Sequence, residues 1–307
     1  MGKSDPMSPR RVLVTGGAGF VGSHIVDALR ARGDDVMVVD DLSTGDRANL
    51  RDGVVLHVVD IADGPALGRA VEGQHFDAVV HCAAKTKVVQ STEQPELYRR
   101  VIVDGTRNVV DAALATGAHD LVNISTGGAI YGETPTCANE ETAVAPPSPY
   151  GRFKAEAEAI VQRHGIRAVT LRLANVYGPR QRDDLEGGVI SIFLGAIRAG
   201  RPLTIYGDGT AERDYMYVGD AAEAVLAALD APVTGTYNIG TGIATYVLSI
   251  VDLLRTTLQV TPVVRHAPAR PAEIQRSCVD VSKAAREGLW RPRTTLAEGI
   301  ERTARPA

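Results

Sequence analysis

Short apolar runs alternate along the first half of the chain with stretches whose apolar residues recur at helical spacing. The runs at 11–14, 35–39, 54–59, 78–81, 120–124 and 168–173 are rich in Val, Leu and Ile, as strands buried on both faces are. Amphipathic stretches at 21–32, 65–71, 96–116 and 150–164 lie between them. In the first of these Val21, Ile25, Ala28 and Leu29 form one stripe. Each stripe must be buried against something, so the alternation predicts an α/β fold: a doubly wound parallel sheet with helices on both faces. Ligands of such sheets sit at the carboxyl ends of the strands. The alanine-rich stretch 221–229 and Trp290 read as core.

Length and composition narrow the class without naming a function. The chain has 307 residues, 44% hydrophobic and 23% charged, enough for a large core in one domain or two joined lobes. The formal charge of -4 points away from a nucleic-acid partner. Cys82, Cys137 and Cys278 are odd in number and widely spaced, which suggests neither a disulfide framework nor a zinc site but a reducing compartment. The expectation is a cytoplasmic protein with no bound metal. Residues 1–11 read as a polar tail, not a signal peptide, and no apolar run reaches membrane-spanning length.

Candidate chemistry gathers at the predicted strand ends. The first strand runs into Gly16, Gly19 and Gly22, then into the first helix. Gly16 permits a tight turn, Gly19 admits a pyrophosphate close to the backbone, and Gly22 lets helix pack on strand. The second strand ends in Asp40-Asp41, where a carboxylate can bind a ribose diol and repel a 2′-phosphate, so NAD is favoured over NADP. Asp60-Ile61 follows the third strand, at the place for an adenine amino group. The loop His81-Cys82-Ala83-Ala84-Lys85-Thr86-Lys87 follows the fourth; Ala83 and Ala84 are small enough for backbone to pass beneath a cofactor. The fifth strand leads into Ser125-Thr126-Gly127-Gly128-Ala129-Ile130-Tyr131-Gly132.

Tyr150 and Lys154 share one face of the next helix, for which Ser148 is the expected cap beside Pro149. A free tyrosine, with a pKa of about 10, is a weak base at neutral pH. A neighbouring ammonium and a nicotinamide cation would lower that value, so that Tyr150 takes a proton from a substrate hydroxyl as hydride leaves the same carbon. Lys154 would also reach the nicotinamide ribose, and the hydroxyl of Ser125 or Thr126 would hold the reacting oxygen.

These motifs are similar to a known family. Thr15-Gly16-Gly17-Ala18-Gly19-Phe20-Val21-Gly22, Asp40-Asp41-Leu42-Ser43-Thr44-Gly45, Asp60-Ile61, the loops 81–84 and 125–132, Tyr150/Lys154, Arg172-Leu173-Ala174-Asn175-Val176-Tyr177-Gly178-Pro179-Arg180 and Arg213-Asp214-Tyr215 carry the likeness. Together they resemble the extended short-chain dehydrogenase/reductase family, and within it the nucleotide-sugar 4-epimerases. The resemblance implies a Rossmann-type NAD-binding domain over 11–174 and a smaller nucleotide-sugar lobe mainly over 175–307, interleaved with it. It extends the cofactor set to Phe20, Val21, Asp41, Leu42, Ser43, Thr44, Gly45, Ile61, Cys82 and Lys85. It places Thr86, Thr126, Asn175 and Val189 at the sugar nucleotide. Arg213 and Arg270 are cast as a diphosphate clamp, a task suited to forked guanidinium groups, with Tyr215 and Glu273 beside them.

The activity implied is isomerisation. Tyr150 takes the proton of the sugar 4-hydroxyl, NAD takes the hydride of carbon 4, the 4-keto sugar turns, and the hydride returns to its other face. A homodimer through the helices near 96–116 and 150–164 is expected too. The chain departs from the pattern at Gly127, where glucose/galactose epimerases carry the catalytic hydroxyl, and at Val101, where many relatives have an asparagine. UDP-glucose/UDP-galactose is the expected pair. Arg182 facing a carboxylate would favour UDP-glucuronate, and small Ser277 in the pocket wall would admit UDP-N-acetylglucosamine. Gly128 and Ala129 stand where a sugar 4,6-dehydratase needs its acid/base carboxylates. A decarboxylase lacks its loop glutamate, although Glu133 lies just beyond. A non-catalytic NAD-binding protein is the reading outside enzymes.

Overall fold

The computed structural model describes residues 9–184, 188–269 and 274–305. Its strands are β1 (Arg11–Thr15), β2 (Asp35–Asp40), β3 (Val55–Val58), β4 (Ala78–His81), β5 (Asp120–Thr126), β6 (Arg167–Leu173), β7 (Asn175–Tyr177), β8 (Leu203–Tyr206), β9 (Glu212–Tyr217), β10 (Gly235–Ile239), β11 (Ala244–Tyr246), β12 (Val264–Ala267) and β13 (Arg276–Ser277). Its helices are α1 (Phe20–Arg32), α2 (Gly64–Val71), α3 (Val88–Glu93), α4 (Pro95–Arg99), α5 (Gly105–Ala115), α6 (Gly127–Ile130), α7 (Pro149–Val161), α8 (Val189–Arg198), α9 (Val218–Asp230), α10 (Val247–Leu258), α11 (Ser282–Arg286) and α12 (Leu296–Ala304).

Seven strands form one all-parallel sheet in the order β10-β6-β5-β4-β1-β2-β3. The strand period of two explains how it is covered on both faces. Val12, Val14, Val36, Val38, Ala78 and Val80 face one core, shared with Ile25 and Leu29 of α1 and Ala224, Val225 and Ala228 of α9. Leu13, Met37, Val39 and Val79 face the other, with Leu67 and Val71 of α2, Val109 and Val110 of α5, and Ile160 and Val161 of α7. The expected doubly wound sheet is therefore present. β10 comes from the second half of the chain and pairs with β6, so that half completes the first sheet. Trp290 and most of 221–229 are buried in the first of these cores, as expected.

Two elements differ from the expectation. The stretch 96–116 is helical, but a wider π turn (Arg100–Asp104) joins α4 to α5. Such a turn rotates the helix face locally and turns Val101 toward the strand ends. The short helix α3 has no counterpart in the apolar pattern. The remaining strands build a smaller lobe: β9 lies between β11 and β13 with β7 pairing beside it, and β8 pairs with β12. Its core holds Tyr177, Ile190, Phe193, Leu203, Ile205, Tyr215, Ile250 and Leu254.

Cys137 and Cys278 form a disulfide between positions 141 residues apart, with Cα atoms separated by 4.5 Å. This corrects the expectation that the three cysteines make no bridge. Their spacing conceals the contact, because a parallel bridge of Ala138 with Val279 is what aligns the two segments. Cys82 is free. Among the described residues no helix is long and apolar enough to cross a membrane.

Candidate active site

A cleft of about 520 Å³ opens along the carboxyl ends of the parallel strands. Glycines shape its floor. A Cβ on Gly16 would lie 2.6 Å from the Ala83 nitrogen, and one on Gly22 would lie 2.1 Å from the Gly16 carbonyl oxygen. Both positions therefore exclude any side chain, and Gly16 also has a φ of +70°. Helix α1 begins at Gly19 with no side-chain cap and no acidic residue in its first turn. The first N–H groups of the helix thus face the cleft, a ready-made anion site.

Asp40 sits at the end of β2, 6% exposed. Its oxygens accept the Ala18 N–H at 2.9 Å and the Leu42 N–H at 2.8 Å. It therefore clamps the glycine loop to the loop that follows β2, and burial raises its pKa. Asp41 accepts the N–H and hydroxyl of Ser43, whose Oγ also accepts from Lys85 at 2.8 Å. Asp60 accepts the Ala62 N–H and pairs with Arg100 at 3.1 Å. Gly16, Gly19, Phe20, Val21, Gly22, Asp40, Asp41, Ser43, Thr44, Asp60, Ile61, Cys82, Ala83, Ala84 and Lys85 all line the cleft. Leu42 and Gly45 do not; they shape the loop around Asp40, since a Cβ on Gly45 would lie 2.9 Å from the Asp40 carboxylate.

His81, 2% exposed at the end of β4, holds the loop beneath this floor. Thr106 donates to the Ile102 carbonyl, so its oxygen accepts from His81 Nε2 at 3.0 Å. Nδ1 is then the acceptor for Thr15 Oγ1 at 2.7 Å. This chain of bonds needs a neutral ring, and burial, aided by the Lys154 charge, pushes the His81 pKa down to about 3.

The end of the cleft that holds Ser125, Thr126, Tyr150 and Lys154 is built by β5 and α7. Ser148 caps α7 by accepting the Gly151 N–H at 3.2 Å, as its place before Pro149 suggests. The cap presents Tyr150 and Lys154 to the end of β5. Thr126 lies beside the Tyr150 phenol, and Lys154 Nζ donates to the Ile124 carbonyl at 2.6 Å. Ser125 turns the other way: its Oγ donates to Glu158 at 2.5 Å, inside a buried ion pair with Arg172. Of the two candidate hydroxyls, Thr126 is the one beside the phenol.

The expected lowering of the Tyr150 pKa is not found in the chain by itself. Burial dominates and pushes the phenol up to about 12, against the smaller opposing effect of Thr126. Burial likewise brings Lys154 down to about 8, with the Glu158 charge opposing it.

The sugar-side candidates divide. Thr86, Thr126, Asn175 and Arg182 line the same cleft. Val189 opens α8, while Arg213 and Tyr215 lie on β9, outside the cleft lining. Arg213 donates to the Glu212 carbonyl at 2.8 Å. Between Arg213 and Tyr215, Asp214 is fully buried and accepts from Thr241 and Gly242, so the centre of that motif ties β9 to the turn after β10. Arg270 and Glu273 lie outside the described residues. Arg182 is exposed and forms a two-bond pair with Asp184, at 2.8 and 2.5 Å. Glu133 accepts the N–H groups of Gln275 at 2.7 Å and Arg276 at 2.8 Å, which holds it at the start of β13.

The structure brings Arg180 and Gln181 into the cleft beside Asn175, which the motifs had already singled out. Asn175 Nδ2, Arg180 Nη1 and Gln181 Oε1 are buried polar atoms of the cleft with no hydrogen-bond partner among the described residues. A glycine cradle, an uncapped helix start, a strand-end carboxylate and unsatisfied polar atoms together suit a dinucleotide with a second phosphorylated ligand beside it. Glu158 was legible in one respect only, as the residue four after Lys154.

This is a Rossmann-type fold whose cleft is lined by Thr126, Tyr150 and Lys154. The chain belongs to the NAD dependent epimerase/dehydratase family, whose model matches residues 12–240. It is 36% identical over 296 residues to a putative UDP-glucose 4-epimerase of Methanocaldococcus jannaschii, covering 95% of this chain and 96% of that one. The crystal structure of a Thermus thermophilus UDP-glucose 4-epimerase in complex with NAD superposes with a TM-score of 0.90 at 42% identity, covering 96% of this chain and 97% of that one. A Thermotoga maritima UDP-glucose 4-epimerase with UDP-glucose gives a TM-score of 0.91 at 35% identity, again over 96% of this chain and 97% of that one.

Proposed function

We propose that the protein is an NAD-dependent UDP-sugar 4-epimerase of the UDP-glucose/UDP-galactose type. The observation that carries this reading is the company Tyr150 keeps. Thr126 lies beside its phenol, Lys154 lines the same cleft one helical turn on, and no carboxylate joins them among the described cleft residues; Asp40, Asp41, Asp46 and Asp60 all belong to the cofactor end. Dehydration needs an acid/base pair beside the sugar, and Gly128 and Ala129 cannot transfer protons. Glu133, the remaining nearby carboxylate of that loop, is engaged by two backbone N–H groups.

The cofactor end fits NAD. Gly16, Gly19, Phe20, Val21 and Gly22 would hold its pyrophosphate, Asp40 the ribose diol and Asp60 the adenine side. When bound there, NAD supplies the hydride acceptor and, once reduced, the donor, together with a positive nicotinamide ring that favours the phenolate. Thr126 orients the sugar 4-hydroxyl. Tyr150 takes its proton as the carbon is oxidised to the ketone, and gives a proton back when the turned ketone is reduced on its other face. Lys154 stabilises the phenolate and reaches the ribose. Asn175 and Thr86 would position the sugar nucleotide, with Val189, Arg213, Tyr215, Arg270 and Glu273 assigned to its nucleotide end.

Arg182 is committed to Asp184, which counts against a carboxylate-bearing sugar. Ser277 donates to the Gly128 carbonyl at 3.4 Å and does not line the cleft, so the case for UDP-N-acetylglucosamine rests only on the small size of that residue. The deciding experiment incubates the purified protein with UDP-glucose, UDP-N-acetylglucosamine and UDP-glucuronate and separates the products. Formation of UDP-galactose is the expected result. A 4-keto-6-deoxy sugar, a pentose, or no product from any of the three would overturn the reading.

The proposal extends to a cytoplasmic homodimer, joined through the faces of α4, α5 and α7, where exposed Arg107 pairs with Asp104 and Glu156. Light scattering on the cytoplasmic fraction should then give twice the 32.5 kDa chain mass. A monomer, or protein found only outside that fraction, contradicts it.

A further inference from the structure

Beneath the reacting end lies a layer of buried polar groups that the chemistry above does not use. Tyr150, Lys154 and Glu158 follow at four-residue intervals and stand on one face of α7. Glu158 is 4% exposed. Its carboxylate accepts Ser125 Oγ at 2.5 Å, Arg172 Nε at 3.0 Å and Arg172 Nη2 at 2.7 Å. Arg172 also donates to the Tyr131 hydroxyl at 2.8 Å, and Tyr131 donates to Asn238 Oδ1 at 2.7 Å. The network thus links α7, β5, β6, the end of α6 and β10. Buried ion pairs are weak stabilisers once their desolvation is counted. Stability alone is therefore a poor reason for placing this one under the reacting tyrosine.

We propose that Glu158 is a positioning residue for the reaction. It engages the Ser125 hydroxyl, aligns the end of β5 that carries Thr126 and the Ile124 carbonyl, and supplies the negative charge that keeps Lys154 an ammonium. The inference rests on the roles of Tyr150 and Lys154 in the proposed function. Burial works against the Lys154 charge and Glu158 is the largest influence opposing it. The other titratable neighbours are uncharged near neutral pH: burial drives the His81 ring down and the Cys82 thiol and Tyr150 phenol up. Removing the Glu158 charge therefore leaves the desolvation of Lys154 without its chief opposing influence.

The chain makes a direct test practical because it has five lysines: Lys3, Lys85, Lys87, Lys154 and Lys283. Lysine labelled with carbon-13 at Cε gives five signals, and Lys154→Arg identifies the one that matters. In the wild type that signal should titrate near pH 8. In Glu158→Gln its midpoint should fall by about one pH unit, because an opposing charge has been removed from a desolvated ammonium. The alkaline limb of kcat against pH should fall with it. Glu158→Asp keeps the charge but withdraws it, so its midpoint should fall between the two. A folded Glu158→Gln protein with an unmoved Lys154 midpoint overturns the proposal. If that variant does not fold, Glu158→Asp decides in the same way: a lowered midpoint supports the role and an unmoved one refutes it. A wild type that converts no UDP-sugar would sink the proposed function, while the titration would still judge Glu158.

Discussion

Thr126 and Ser125 are neighbours in sequence with nearly the same chemistry, yet the fold gives them opposite surroundings. Successive strand residues point to opposite sides. Thr126 thus meets the Tyr150 phenol, while Ser125 meets Glu158. Thr126→Val should lower kcat by about 10²-fold, the usual cost of losing one donor at a reacting oxygen. Ser125→Ala should lower it only a few-fold, because its hydroxyl serves the ion pair. Steady-state kinetics on the two variants settles the order, and a larger loss for Ser125→Ala would reverse the assignment. Tyr150→Phe should abolish turnover while NAD still binds. The phenol also shows where reading residues one at a time stops. Tyr150 and Lys154 at a spacing of four suggest an activated tyrosine, but the depth of burial sets the pKa, and burial raises it to about 12 before any cofactor charge is counted.

At the scale of elements, the apolar pattern located nearly every part of the parallel sheet. Strands buried on both faces must be continuous apolar runs, and amphipathic helices must alternate with them. β10 was the exception, since Gly-Thr-Tyr-Asn-Ile is short and mixed and is a strand because it finds the edge of β6. The π turn at 100–104 was equally hidden, for one extra residue in a helical turn leaves the apolar periodicity almost unchanged. The candidate site was legible where it depends on glycine. Gly16 and Gly22 are required by contacts that leave no room for a Cβ, and their spacing is visible in the chain. Arg180 and Gln181 were not legible as cleft residues, because their place follows from the turn after β7.

For the whole molecule, the Cys137–Cys278 bridge links the loop after α6 to the residue that follows β13 of the smaller lobe. Closing a loop of this length removes denatured-state freedom equivalent to about 4–5 kcal/mol in the chain-entropy limit. Reduction by a dithiol, or Cys137→Ser with Cys278→Ser, should therefore lower the thermal midpoint by about 5 °C or more. Calorimetry with and without reductant checks this, and an unchanged midpoint would show that the backbone bonds of Ala138 carry the junction alone.

Local order was enough to specify the sheet, the glycine turn and the tyrosine–lysine helix, because each depends on residues within a few positions of one another and on burial that recurs with a fixed period. Which hydroxyl faces the phenol, which carboxylate steadies the lysine and which cysteines meet were decided by packing between segments far apart in the chain. Those contacts have no period to read; they exist only once the sheet has brought their elements side by side.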